Sequence, residues 1–277
     1  MQWPQILGFT VVGALVTTAG TLIGLFLREV LLARSFERWK TKQSLAQVAR
    51  KYREPIALSA LELCNRFTNI CDAYPPNFLG SDLLSSAPER PALNFANDPY
   101  FKRYRLVSTV YRLCSFLGWI ELYRQDTTFL DVDESSGQRP VERAIYAVRA
   151  DFADGQLNKA GDWQTWHDML LFREEQRAIG ESMIVLAGGV RTVMGYAEFC
   201  DLFPGDTNKS QSKWLHTAAA FLLDLKEAKD FRQIRFQRLI VHLVELVDVL
   251  SPARPRDEHQ EAHMRYKKLL GTALAKI

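Results

Sequence analysis

Charge is missing from the first 27 residues of the chain. That absence excludes the basic start of a secretory signal peptide. Gln5 to Leu27 reads QILGFTVVGALVTTAGTLIGLFL. A helix rising about 1.5 Å per residue would carry this run across roughly 34 Å. The hydrocarbon of a bilayer is about 30 Å thick. The run passes directly into Arg28-Glu29, with no small-x-small cleavage site between. The expectation is an uncleaved transmembrane helix over residues 1–27.

Cysteine is also scarce. The four are Cys64, Cys71, Cys114 and Cys200, and none makes a CxxC pair. Cys64 and Cys71 share a helix face two turns apart, too far to bridge. This excludes a disulfide scaffold and fits burial as small hydrophobes in a reducing compartment. Phosphate-binding loops are absent, both GxxxxGK[ST] and GxGxxG. So are a GxSxG elbow, the kinase signatures and HExxH. No run of alternating β-branched residues bounded by turns appears, and no repeat of fixed period. The fold class that remains is all-α: one membrane helix, then seven or eight helices in an irregular bundle.

What is present is a sharp change of charge. Residues 28–53 hold eight basic side chains against two acidic ones, and the net charge of the whole chain is +3. The remainder is therefore mildly acidic, which argues against a nucleic-acid partner. Basic residues on the C-terminal flank of an apolar run place that flank in the cytoplasm. The expected organisation is an anchor over 1–27, a basic juxtamembrane helix over 28–54 and a cytoplasmic helical domain over 55–277. The location would be the inner (plasma) membrane, single-pass, with the N-terminus outside. Arg28, Arg34 and Trp39 suit the headgroup zone, with the lipid bilayer itself as partner. Gly13, Thr17, Gly20 and Gly24 form a stripe of small residues that includes a GxxxG. Such a face suits a homodimer or the helix of another membrane protein.

Along the chain, Ile56 to Ala73 has helical periodicity after Pro55, which either starts this helix or kinks one long rod. Tyr74 to Pro99 holds five of the 11 prolines and reads as a long surface loop. Tyr100 to Arg124 places Leu106, Val110, Leu113, Leu117 and Ile120 on one face, thickened by aromatics. Shorter helices are expected over 141–152, 172–189, 190–203, 214–228, 230–250 and 256–277. DVDESSG at 131–137 lacks the glutamate and spacing of a calcium loop.

Chemistry is thinly signalled. In FREEQRAIGESMIVLAGG, Glu174, Arg177 and Glu181 fall at i, i+3 and i+7 on one face. They read as a salt-bridge network or, alternatively, as a polar ligand site. Gly188-Gly189 is a stop or hinge. His259 and His263 share a helix face at i, i+4, but no third metal ligand is identifiable. His167, His216 and His242 stand alone. Neither a metal nor a cofactor is expected.

The stretches KYREPIALSALELCNRFTNI, STVYRLCSFLGWIELYRQDTTFLD, FREEQRAIGE and GYAEF together resemble a group of bacterial membrane-anchored helical proteins with no established activity. The resemblance covers about residues 50–250 and implies a bacterial origin. It carries over no functional residue. The expected function is an interaction, scaffold or sensor module rather than an enzyme. The alternative is a membrane-tethered enzyme or ligand-binding effector centred on Glu174, Arg177 and Glu181.

Overall fold

The first helix, α1, runs from Trp3 to Asp72 in the computed structural model. The structure describes residues 3–84, 99–127, 139–155, 170–203, 210–225, 232–251, 261 and 264–268. Pro55 lies inside α1 without ending it. Proline removes one backbone donor, but helix-forming residues flank it on both sides, and the helix continues. Contacts divide the chain into residues 1–47 and residues 48–277.

Within residues 1–47 the expectation of a transmembrane helix is corrected. Among the described residues, no helix is long and apolar enough to cross a membrane. Absence of charge is a weaker condition than a sustained apolar run. The 23-residue stretch contains Thr10, Thr17, Thr18 and Thr21 and glycines at 8, 13, 20 and 24. A span needs about 20 predominantly apolar residues. Thr17, Gly20 and Gly24 are exposed, and a Cβ at either glycine would meet nothing within 4 Å. Thr21 donates to the Thr17 carbonyl at 2.7 Å. Arg28 is exposed, as is Trp39, which stacks on Phe36 with ring centroids 5.8 Å apart. Of Gly13 and Arg34 only the helical backbone is described.

Residues 48–277 contain the core. Tyr52, Ile56, Ala60, Leu63, Phe67 and Ile70 form the buried face of α1, at steps of three and four. Helices α2 (Pro99–Thr127), α3 (Arg139–Ala153), α4 (Arg173–Ser182), α5 (Tyr196–Leu202), α6 (Ser210–Leu222) and α7 (Arg232–Leu250) follow. Helix α4 packs on α2 and α6, and α3 packs on α7. The expected apolar face of α2, from Leu106 to Ile120, is buried. Four phenylalanines from four helices meet at the centre. Phe67 stacks on Phe236 at 4.9 Å, Phe152 approaches Phe67 edge-on at 6.5 Å, and Phe221 joins Phe152 at 5.7 Å.

The proline-rich stretch after α1 is tied down at its start. Phe78, Leu79 and Leu83 are buried around a 3-10 turn at Ser81–Leu84. Arg105 lies 4.0 Å over the Phe78 ring, and the Asp224 N–H donates to the Leu79 carbonyl at 2.8 Å.

The described residues form the expected helical bundle, and one short hairpin after Ser182 is the departure from it. The chain turns into a hairpin, β1 (Ile184–Ala187) pairing antiparallel with β2 (Val190–Val193) in the register Ile184↔Val193 to Ala187↔Val190. Gly188 and Gly189 sit at φ +56° and +79°, the positive values that a two-residue hairpin turn requires. They do not end the helix, which has already stopped. Strands of four residues are too short for a readable alternation. The helix expected over 190–203 begins only at Tyr196.

Two glycines of the helices let these pieces close on α2. A Cβ at Gly180 would meet the Leu117 carbonyl oxygen and Glu121 Cβ, both at 2.7 Å. A Cβ at Gly118 would meet Met183 Cβ at 2.9 Å and Val193 Cγ2 at 3.1 Å. Helix α4 and the hairpin are thus set directly on α2.

Candidate functional site

Helix α4 starts after Phe172, whose N–H is capped by Glu175 Oε2 at 2.8 Å. Its faces then divide cleanly. Gln176, Ile179, Gly180 and Ser182 are buried, while Glu174, Arg177 and Glu181 are all exposed. The candidate triad therefore shares one face, as its spacing requires, but that face is turned to solvent. Neither an ion pair nor a hydrogen bond joins the three. Surface charges of this kind contribute little to stability.

The polar residue doing structural duty on α4 is Gln176, which sequence spacing did not single out. Its amide donates to the Leu171 carbonyl at 2.8 Å and the Arg149 carbonyl at 3.0 Å. Its Oε1 accepts from Arg149 Nε at 3.2 Å, and a second Arg149 nitrogen reaches the Arg173 carbonyl at 3.2 Å. Arg149, on α3, is thereby held over the start of α4 by neutral oxygens alone. Burial and then the neighbouring Arg177 charge push its pKa below the ordinary arginine value.

A cleft of about 240 Å³ opens between α2, α3 and the first residue of α4. Arg124, Arg149 and Arg173 line it, with Glu142 the single carboxylate on its wall. Arg124 is committed to the buried Glu121, by Nε–Oε2 at 2.8 Å and a second contact at 2.5 Å. Arg173 lies 4.4 Å over the Tyr146 ring. Tyr123 also lines the cleft. It is only 5% exposed, yet its hydroxyl has no hydrogen-bond partner. Burial, with Glu142 nearby, pushes that hydroxyl up to about 12. A second cleft of about 340 Å³ lies on the α1 side of the same tyrosine, between Tyr52, Pro140 and Leu250.

A separate polar cluster joins α3 to α7. Asp151 is fully buried, with Arg238 at 3.0 Å from one carboxylate oxygen and His242 Nδ1 at 2.5 Å from the other. Arg235 donates to the Asp151 carbonyl and, at 3.0 Å, to the Asp154 carbonyl. The Asp151 hydrogen bond holds the His242 pKa above its ordinary value. The histidine is one of the three that stood alone in sequence. His216 packs against Phe203 with ring centroids 5.1 Å apart. His167, His259 and His263 and the stretch 131–137 lie outside the described residues.

Among the described residues no group of three His, Cys, Asp or Glu side chains is placed to hold a metal ion. Cys64 and Cys114 are buried, Cys71 is half-buried and Cys200 is exposed. Burial raises the Cys64 and Cys71 thiols to about 12, so neither is a nucleophile at neutral pH.

The hairpin after α4 carries Leu186, the most exposed large apolar side chain among the described residues of 48–277. Leu186 is 71% exposed and Val190 is 59% exposed, on opposite faces of the tip. The base is anchored by buried Met183, Val193 and Met194, with Met194 N–H donating to the Met183 carbonyl at 2.8 Å. No family model, no curated protein and no solved structure matches this chain.

Proposed function

We propose that residues 48–277 act as an interaction module, and that α4 with its hairpin is the element that meets a protein partner. The observation that carries this reading is the hairpin tip. Leu186 and Val190 stand in solvent beyond a base gripped by the core. A fixed apolar tip with the exposed charges Glu174, Arg177 and Glu181 on the adjoining helix has the anatomy of an interface, apolar at the centre and polar at the rim. Both outer edges of the two-stranded sheet are also without a strand neighbour among the described residues, and such edges accept an added strand.

The test is site-specific photo-crosslinking. A photoreactive side chain is placed at Ala187, which is exposed at the tip, and in parallel at the exposed Lys213 on α6. The expected result in cells of the source organism is one discrete adduct from position 187 and none from 213. The adduct's mass separates a second copy of this chain from a different protein. No adduct from 187 would end the proposal.

A ligand-binding effector is the second reading, and the arginine-lined cleft favours it. The exposed triad of α4 does not line that cleft, to which α4 contributes Arg173.

A further inference from the structure

We propose that the cleft between α2, α3 and the start of α4 binds a small water-soluble molecule through a phosphate monoester group. This stands apart from the docking role of the hairpin and rests on different residues. The cleft walls hold three guanidinium groups and one carboxylate, so the site carries uncompensated positive charge. Arg124 has its carboxylate partner in Glu121. Arg149 does not: its hydrogen bonds go to the Gln176 side-chain oxygen and the Arg173 carbonyl. Arg173 rests on the Tyr146 ring and is within electrostatic range of Arg149. Like charges gathered this way repel, and an anion between them relieves the repulsion.

The second, independent observation is the Tyr123 hydroxyl. A buried donor without a partner is rare and costs stability unless something completes it. Tyr123 is 5% exposed, lines the cleft and has an unpaired hydroxyl. Tyr123 borders both clefts, and an oxygen-rich anion on the arginine side is the acceptor the proposal assigns to its hydroxyl.

Charge and size then select the ligand class. A phosphate monoester carries close to two negative charges at neutral pH and three acceptor oxygens. With Glu121 paired to Arg124 and Glu142 on the wall, the site keeps a net positive charge, and three acceptor oxygens can engage Arg149, Arg173 and the hydroxyl together where the two oxygens of a carboxylate cannot. The volume of about 240 Å³ is below the usual range for drug-sized sites, which begins near 300 Å³, so the ligand is compact. Ile120, Ile145 and the Tyr146 ring complete the wall and would cover an apolar or aromatic portion.

Phenyl phosphate is the probe, titrated calorimetrically into the full chain at low salt, with phenol as the uncharged control. Saturable binding of phenyl phosphate and none of phenol is expected. Tyr123→Phe removes a hydroxyl that makes no internal bond, so the variant should melt no lower than wild type. It should nonetheless bind about tenfold or more weakly. Arg173→Gln, which breaks neither a hydrogen bond nor an ion pair, should weaken binding by a similar factor. Absence of saturable binding to the wild type overturns the proposal. So does equal binding of phenol, or an affinity that either variant leaves unchanged.

Discussion

At the scale of single residues, Asp151 does the most to join two helices. It is fully buried, and α7 sends Arg238 and His242 to its carboxylate and Arg235 to its carbonyl. Breaking one partner of a buried pair leaves the others uncompensated. Asp151→Asn should therefore lower stability by about 2–4 kcal/mol, below the full penalty for a buried pair because Arg238 keeps some access to water. Urea unfolding monitored by circular dichroism measures it. The same cluster predicts a pH dependence. The hydrogen bond to Asp151 raises the His242 pKa in the folded state. A raised folded pKa gives stability that is fully present below the unfolded value, near 6.5, and lost as pH rises through the folded value. Unfolding at a series of pH values from 6 upward should show a decline that His242→Gln abolishes. None of this was legible beforehand, because Asp151 and His242 lie 91 residues apart and nothing local marks them as partners. Gln176 escaped for a related reason: neutral and flanked by charges, it gave no signal of burial.

At the scale of elements, the long helices were readable and the short strands were not. The apolar steps on α2 predicted its buried face, and of those expected over residues 56–70 of α1 Ile56, Leu63, Phe67 and Ile70 are buried while Leu58 is exposed and Leu61 half-buried, since period and packing agree best over many turns. The hairpin broke the expectation over 172–189. Four-residue strands carry too little alternation, and a Gly-Gly pair reads equally as a helix stop. Gly180 had no visible role either, yet it sets how closely α4 approaches α2. Gly180→Ala places a Cβ 2.7 Å from the Leu117 carbonyl oxygen, a backbone atom that cannot swing aside. The variant should lose about 1–3 kcal/mol, read as a lower urea midpoint at an unchanged slope. If its stability equals wild type, α4 does not sit as described.

At the scale of the whole molecule, the described core lies entirely within residues 48–277. Removing residues 1–47 should accordingly leave the melting transition of the remainder within about 2 °C of the full chain, a shift that corresponds to about 0.5–1 kcal/mol for a chain of this size. Differential scanning calorimetry decides it. The first 27 residues lack charge, yet among the described residues no helix is long and apolar enough to cross a membrane. The candidate triad was legible as a helix face and not as a site, because periodicity tells which residues align and not which way the aligned face points. The cleft was illegible altogether: its arginines come from three helices that only the tertiary fold brings together.

The central claim is that the hairpin tip is a contact surface and not a structural element. It is tested most directly by repeating the crosslinking from position 187 in the Leu186→Asp, Val190→Asp double variant, with the melting temperature taken on the same purified protein. Both side chains are exposed, so the charges should leave the melting temperature unchanged and eliminate the adduct. An adduct that persists, or one lost only together with the fold, would contradict the account.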